Sequence, residues 1–163
     1  MEILIREIQS GDNAALAGII RKGIEEFGVP LEGTAHSDPT TDDLFTLFKT
    51  PGSGYFVAVE NGVILGGGGF YPTEGLPAGC AELVRFFLSP AARGKGLGVK
   101  LLENASEAAR KAGYTSFYLE SFPEMTKAVA MYEKNGFQYL PAALGNSGHH
   151  ACTIWMLKDL TSL

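Results

Sequence analysis

Two hydrophobic periods run through this chain, and the places where they switch mark its elements. Residues 2–8 alternate with period two, predicting a strand that ends at Ser10-Gly11. Leu16, Ile19, Ile20, Ile24 and Phe27 then recur at helical spacing, with Asp12 as the expected N-cap and Gly28 as the stop. A polar loop over 29–39 leads to a short predicted helix over 40–49, burying Leu44, Leu47 and Phe48 before Pro51. Tyr55–Glu60 and Val63–Tyr71 are predicted strands joined by Asn61-Gly62, a strong hairpin signal. Gly66 to Gly69 fall inside the second strand. Phe70-Tyr71-Pro72 follows them rather than a helix, so they are expected to admit a neighbouring backbone or a substrate, with a flexible linker as the alternative.

The second half repeats the switching. Ala81–Leu88 is a predicted strand closed by Ser89-Pro90. Leu97, Leu101, Leu102, Ala105, Ala108 and Ala109 then share one face of a predicted helix that stops at Gly113. Thr115–Glu120 is the next strand. Ser121 and Glu124 form a capping-box pattern around Pro123, opening a helix with Met125, Ala128, Val129 and Tyr132 on one face and Asn135-Gly136 at its end. Phe137–Leu140, a loop over 141–149 and a strand over His150–Lys158 complete the chain. The order β-α-α-β-β-β-α-β-α-β-β describes an α/β fold, a mixed sheet with helices on both faces. No repeat, low-complexity tract or linker interrupts it, so residues 1–163 are expected to form one domain.

Composition changes this picture little. Hydrophobic residues make up 45% of the 163 and charged residues 19%, which indicates a globular chain. A net charge of −5 argues against a general nucleic-acid binder. Cys80 and Cys152 form no disulfide framework and suit a reducing compartment. The amino-terminal stretch carries charge throughout, unlike a signal peptide or a membrane span. A cytoplasmic protein is expected.

The candidate chemistry centres on Arg93-Gly94-Lys95-Gly96-Leu97-Gly98, followed by Val99. Strand, glycine turn and helix start together make an anion site, because converging backbone N–H groups meet no Cβ and the helix terminus adds positive charge. Arg93 and Lys95 add full charges. The dinucleotide fingerprint fails, since Val99 stands where its third glycine belongs, and the P-loop spacing fails too. Arg93-x-x-Gly96-x-Gly98 instead resembles the coenzyme A signature Q/R-x-x-G-x-G/A of the GCN5-related N-acetyltransferase (GNAT) family. The resemblance spans nearly the whole chain, although the first half matches only in element order. It implies a mostly antiparallel central sheet of about seven strands with splayed middle strands, and acetyl-CoA as co-substrate. It also implies that Phe86, Phe87 and Leu88 expose backbone to the pantetheine arm, with the Leu88 N–H as an oxyanion donor.

Acetyl transfer to an amine needs a base for the ammonium and benefits from an acid for the departing thiolate. By the family's spacing Glu82, eleven residues before Arg93, ranks first as base. Its plain alternative is a strand carboxylate paired with Arg85. Glu120, ending the next strand, ranks second. Ala130-Met131-Tyr132-Glu133-Lys134-Asn135-Gly136-Phe137 resembles the family's A-x-x-x-Y-x-x-x-G-F box, which makes Tyr132 the acid; as an ordinary core tyrosine it would only pack. Many relatives place an asparagine seven residues before this tyrosine, where Met125 stands here. No metal-ligand spacing appears, and His149-His150 is expected to be an ordinary loop pair, so no metal is expected. Both cysteines are expected to be inert, which favours direct transfer.

The leading expectation is therefore an N-acetyltransferase acting on the primary amine of a small molecule such as an amino acid, a polyamine or an antibiotic. Its acceptor would enter between the loops 29–39 and 141–149. A protein or peptide acetyltransferase and a non-catalytic coenzyme A sensor are the alternatives. No nucleic acid or membrane partner is expected, and monomer and homodimer both stay open.

Overall fold

Among residues 3–28, 31–147 and 151–161, described in a computed structural model, the hydrophobic periods resolve into one seven-stranded sheet. The elements are β1 (Leu4–Glu7), α1 (Asn13–Glu25), α2 (Leu44–Leu47), β2 (Gly54–Glu60), β3 (Val63–Tyr71) and β4 (Cys80–Leu88). They continue with α3 (Leu97–Lys111), β5 (Ser116–Ser121), α4 (Thr126–Lys134), β6 (Gln138–Leu140) and β7 (Ile154–Asp159). The strands lie in the order β1-β2-β3-β4-β5-β7-β6. Only β4 and β5 pair in parallel; α3 provides their crossover.

Each face of the sheet takes its own helices. Leu102, Ala105 and Ala109 of α3 join Val129 and Tyr132 of α4 over Leu83, Phe117, Leu119 and Met156. On the opposite face, Leu16, Ile20 and Ile24 of α1 pack with Leu44 and Phe48 over Tyr55 and Val57. The period-two alternation of β2 is what sends Val57 to one face and Ala58 to the other. No described helix is long and apolar enough to cross a membrane.

The β2–β3 hairpin turns at Asn61 (φ 52°) and Gly62 (φ 75°), two successive left-handed residues as a tight primed turn requires. The glycine run of β3 lies in the sheet, and its missing side chains make room for aromatic rings. A Cβ on Gly67 would lie 2.5 Å from the Tyr55 ring, and one on Gly68 would lie 2.6 Å from the Phe86 ring on the other face. A Cβ on Gly69 would run into the Gly54 carbonyl oxygen.

Three predicted boundaries moved. The helix over 40–49 divides into a 3-10 turn at Pro39–Asp42 and the short α2, because Asp38 and Asp43 each cap a separate start through Thr40 and Thr46 N–H. The Ser121–Glu124 capping box does not form. Ser121 still pairs with Ile154 and must stay extended, so α4 begins only at Thr126, with Met125 at its N-cap. The last strand, expected from His150, which lies outside the described residues, starts at Ile154 after the non-strand residues 151–153, because the β5 edge it pairs with ends at Ser121, ahead of Phe122-Pro123. A smaller departure concerns Asp12. It holds the N-cap position of α1, yet its carboxylate is taken by Arg6 at 2.8 and 3.0 Å and by the Gln9 N–H at 2.8 Å.

Gly69→Ala should lower the unfolding free energy by about 1–3 kcal/mol through overpacking against the Gly54 carbonyl. Urea denaturation would show this, and a variant as stable as the parent would mean that β2 and β3 are not so closely apposed.

Candidate active site

β4 stays paired with β3 from Glu82 to Leu88 but follows β5 only from Cys80 to Glu82, opposite Ser116 to Tyr118. Beyond Glu82 the two strands diverge, leaving the β4 edge without a β5 partner. Between Gly67↔Phe87 and Gly69↔Val84 the register slips, so β4 carries one extra residue there. Arg85 takes the left-handed conformation at this bulge (φ 51°), and the Tyr55 hydroxyl donates to its carbonyl at 2.7 Å. The bulge also turns the Arg85 side chain away from the apolar face under α3, while Phe86 returns to that face. The Arg85 guanidinium donates from Nη2 to Asp38 Oδ2 and Thr40 Oγ1, both at 3.0 Å, and from Nε to Thr41 Oγ1 at 3.3 Å.

Two cavities meet at this point. One, of about 70 Å³, lies in the cleft between the splayed strands, and Phe86, Phe87, Glu120, Tyr132 and Cys152 contribute to its lining. The other, of about 360 Å³, opens between Asp38, Leu47, Tyr71, Thr73 and Asn146. Glu82, Val84 and Arg85 line both. Glu82 is only 4% exposed and accepts a hydrogen bond from the Thr73 hydroxyl at 2.5 Å. Burial pushes its carboxyl up to about 7; the Thr73 hydrogen bond opposes the rise, the Glu120 charge adds to it, and Arg85 opposes it. The expected alternative, a Glu82–Arg85 ion pair, is not formed, since Arg85 pairs with Asp38.

Glu120 lies in the same cleft, but both of its oxygens are committed. Oε2 accepts from the Tyr118 hydroxyl at 2.7 Å and Oε1 from the Ser147 hydroxyl at 2.6 Å. Tyr118 in turn accepts the Leu144 N–H at 3.2 Å, so this carboxylate anchors the 141–147 loop. Tyr132 is buried among Phe86 and Phe137, with ring centroids 6.0 and 5.8 Å away. Its hydroxyl has no hydrogen-bond partner among the described residues, and burial raises its pKa above the ordinary phenol value. Cys152 is half-buried, and desolvation, helped by Glu120 and Glu82, pushes its thiol up to about 12, so it stays a thiol at neutral pH.

At the turn before α3, Gly94 (φ 80°) and Gly96 (φ 72°) adopt left-handed conformations with open space where a Cβ would stand. No protein acceptor takes the N–H groups of Gly94, Lys95, Gly96, Leu97, Gly98 or Val99 among the described residues. Six uncommitted donors around a helix N-terminus fit a pyrophosphate, and the open β4 edge from Phe86 to Leu88 leads from them to Glu82. The Arg93 side chain is differently placed than a free phosphate ligand would be. It pairs with Glu26 at 2.6 Å and donates to the Leu88 carbonyl at 3.3 Å, while Lys95 lies 3.8 Å from Glu60.

Glu82, Glu120, Tyr132, Phe86 and Phe87 thus come together in one cleft, with Leu88 beyond it and the 93–99 turn at the far end of β4. His36 faces Glu25 at 2.6 Å instead of either cavity, and His149 and His150 lie outside the described residues. Arg85, Asp38, Thr73 and Ser147 were not anticipated as site residues. Arg85 had a readable signal, a lone charge between Leu83-Val84 and Phe86-Phe87. The other three are polar loop residues whose roles depend on tertiary contacts.

The acetyltransferase (GNAT) family model matches residues 22–137. The chain is 37% identical over 158 residues to the uncharacterized N-acetyltransferase YjgM of Escherichia coli (strain K12), covering 96% of this chain and 95% of that protein. A GNAT-family acetyltransferase from Staphylococcus aureus Mu50 superposes with a TM-score of 0.86 at 18% identity, over 98% of this chain and all of that one. The phosphinothricin acetyltransferase of Sinorhizobium meliloti, solved with acetyl-CoA, gives 0.78 at 21% identity over 98% and 89% of the two chains.

The raised Glu82 pKa links stability to pH. The folded protein keeps this proton up to about 7, while the unfolded chain loses it near the ordinary 4.5, so stability falls as pH rises through that window. Glu82→Gln should remove on the order of 2–3 kcal/mol of the difference between pH 5 and pH 8. Urea titrations at both pH values test this, and identical pH dependence in parent and variant would mean Glu82 ionises normally.

Proposed function

Because the chain belongs to the GNAT acetyltransferase family and is an acetyl-CoA-dependent N-acetyltransferase, we propose that its acceptor is the primary amine of a small molecule. The observation that carries this reading is the position of Glu82, buried at the junction of the two cavities with a carboxyl that titrates near 7. A cleft of about 360 Å³ bounded by the 38–47 segment and the 144–147 loop suits a compact acceptor better than a protein surface. The Ser147–Glu120 and Leu144–Tyr118 hydrogen bonds hold that loop in place. A cytoplasmic setting belongs to the same reading, supported by two free cysteines.

Acetyl-CoA supplies an activated acyl group as a thioester. The 94–99 amides would hold its pyrophosphate, and the β4 edge from Phe86 to Leu88 would hold its arm. Glu82 takes the proton that the acceptor ammonium must lose before its nitrogen bonds to the acyl carbon, directly or through water. The carbon–sulfur bond breaks, and Tyr132, kept protonated by burial, has its proton available for the sulfur. With Cys152 held as a thiol and Glu120 hydrogen-bonded on both oxygens, direct transfer with Glu82 as base is favoured over a covalent enzyme intermediate.

Glu82→Gln should lower kcat/KM by roughly 10² and remove the limb that rises through pH 7, with partial recovery at high pH as free amine accumulates. Glu120→Gln should do less; a larger, pH-sensitive loss there would exchange their roles. Tyr132→Phe should lower kcat by about 10–10² with coenzyme A affinity unchanged. Acyl donors with leaving thiols of different pKa decide whether its hydroxyl acts as an acid. Equal dependence on leaving-group pKa in parent and variant would leave Tyr132 as packing.

A further inference from the structure

Arg85 has a cost that packing alone does not explain. Its backbone is left-handed, a conformation disfavoured for any residue with a Cβ, and the residue is only 8% exposed. A guanidinium carries five N–H donors. Thr41, Asp38 and Thr40 take the Nε donor and both Nη2 donors, so the outer side of the group is fixed. The two Nη1 donors have no protein partner among the described residues, in a side chain that lines both cavities three positions along β4 from Glu82.

The carboxylates around it are differently situated. Asp38 accepts from Thr40 N–H and hydroxyl on one oxygen and from Arg85 on the other. Glu120 is hydrogen-bonded on both oxygens, and Glu74 is exposed at the rim. Among these described carboxylates, only Glu82 keeps an oxygen for an ammonium group. Among the described residues, the larger cavity therefore offers one seat for a cation and one donor pair for an anion, and no second buried seat for a cation.

Resting on the reading of this cleft as the amine site, we infer that the acceptor is an aminocarboxylate, an amino acid or a close analogue, whose carboxylate binds the Arg85 Nη1 donors while its amine faces Glu82. Asp38, Thr40 and Thr41 keep the guanidinium turned toward the cavity. The bulge that places Arg85 on this face is then a specificity device as well as a break in pairing.

The test measures kcat/KM by free-thiol release for the common amino acids, their carboxamides, the matching decarboxylated amines and linear polyamines. The carboxamides lose the negative charge, and their α-amino groups titrate near 8, which leaves more free amine at neutral pH. A preference for the acid over its amide is therefore no artefact of amine basicity. The expected result is a preference of about 10- to 100-fold for at least one amino acid over both partners, the range of a charge-assisted hydrogen bond. Arg85→Gln should bring that ratio to about one, and Arg85→Lys, which keeps the charge, should retain part of it. Equal or better turnover of amides, amines or polyamines by the parent protein overturns the inference and leaves the amine acetyltransferase reading standing. A preference that survives in Arg85→Gln overturns Arg85 as its seat. No turnover of any small amine overturns both. The parent protein's ratio decides the first point even if Arg85→Gln fails to fold.

Discussion

β4 must stay hydrogen-bonded to β3 while leaving β5 immediately after Glu82. A strand cannot bend away from one neighbour and hold the other without a local irregularity, and here the irregularity is one extra residue at Arg85. The bend opens the cleft, frees the β4 edge and puts the Glu82 carboxyl at its apex. The Tyr55 hydroxyl bonds to the bulged carbonyl, and Tyr55 can reach it because Gly67 and Gly69 leave space for its ring. A tyrosine on β2, two strands away, thus supports the geometry at the centre of the sheet.

The same bend sets the electrostatics. Removing Glu82 from water is the largest influence on its titration, and the nearby charges adjust that effect in opposite directions. Asp38 offsets the Arg85 charge at close range, so the guanidinium stabilises the Glu82 carboxylate less than an unpaired one would. The result is a carboxyl poised near neutrality, where a base is both available and strong enough to act.

Much of the scaffold was legible from periodicity alone. The apolar face of α3 and the Asn61-Gly62 hairpin are encoded locally, within a few turns or a few residues, and both stand where their patterns placed them. The Ser121–Glu124 signature failed because pairing of Ser121 with a strand more than thirty residues away overrode a local cap. Glu82, Glu120 and Tyr132 were identified by family spacing, and they do share a cleft. Their differences were not legible. Whether a carboxylate is buried against Thr73 or held by Tyr118 and Ser147 depends on loops whose composition carries no trace of the contact.

The glycine run of β3 has a consequence for how such a sequence can change over time. Each of its positions is matched to a particular occupant: Tyr55 beside Gly67 and Gly69, Phe86 beside Gly68, and the Phe87–Leu88 backbone beside Gly66. A side chain gained at Gly68 becomes tolerable only if the Phe86 ring is first reduced, and the reduced ring alone leaves a void. Gly68 and Phe86 are therefore coupled, and their effects will not add. At Gly66, Gly67 and Gly69 the obstacle includes backbone, which no exchange of side chains can remove, so drift at those three positions is closed in every genetic background that keeps this sheet.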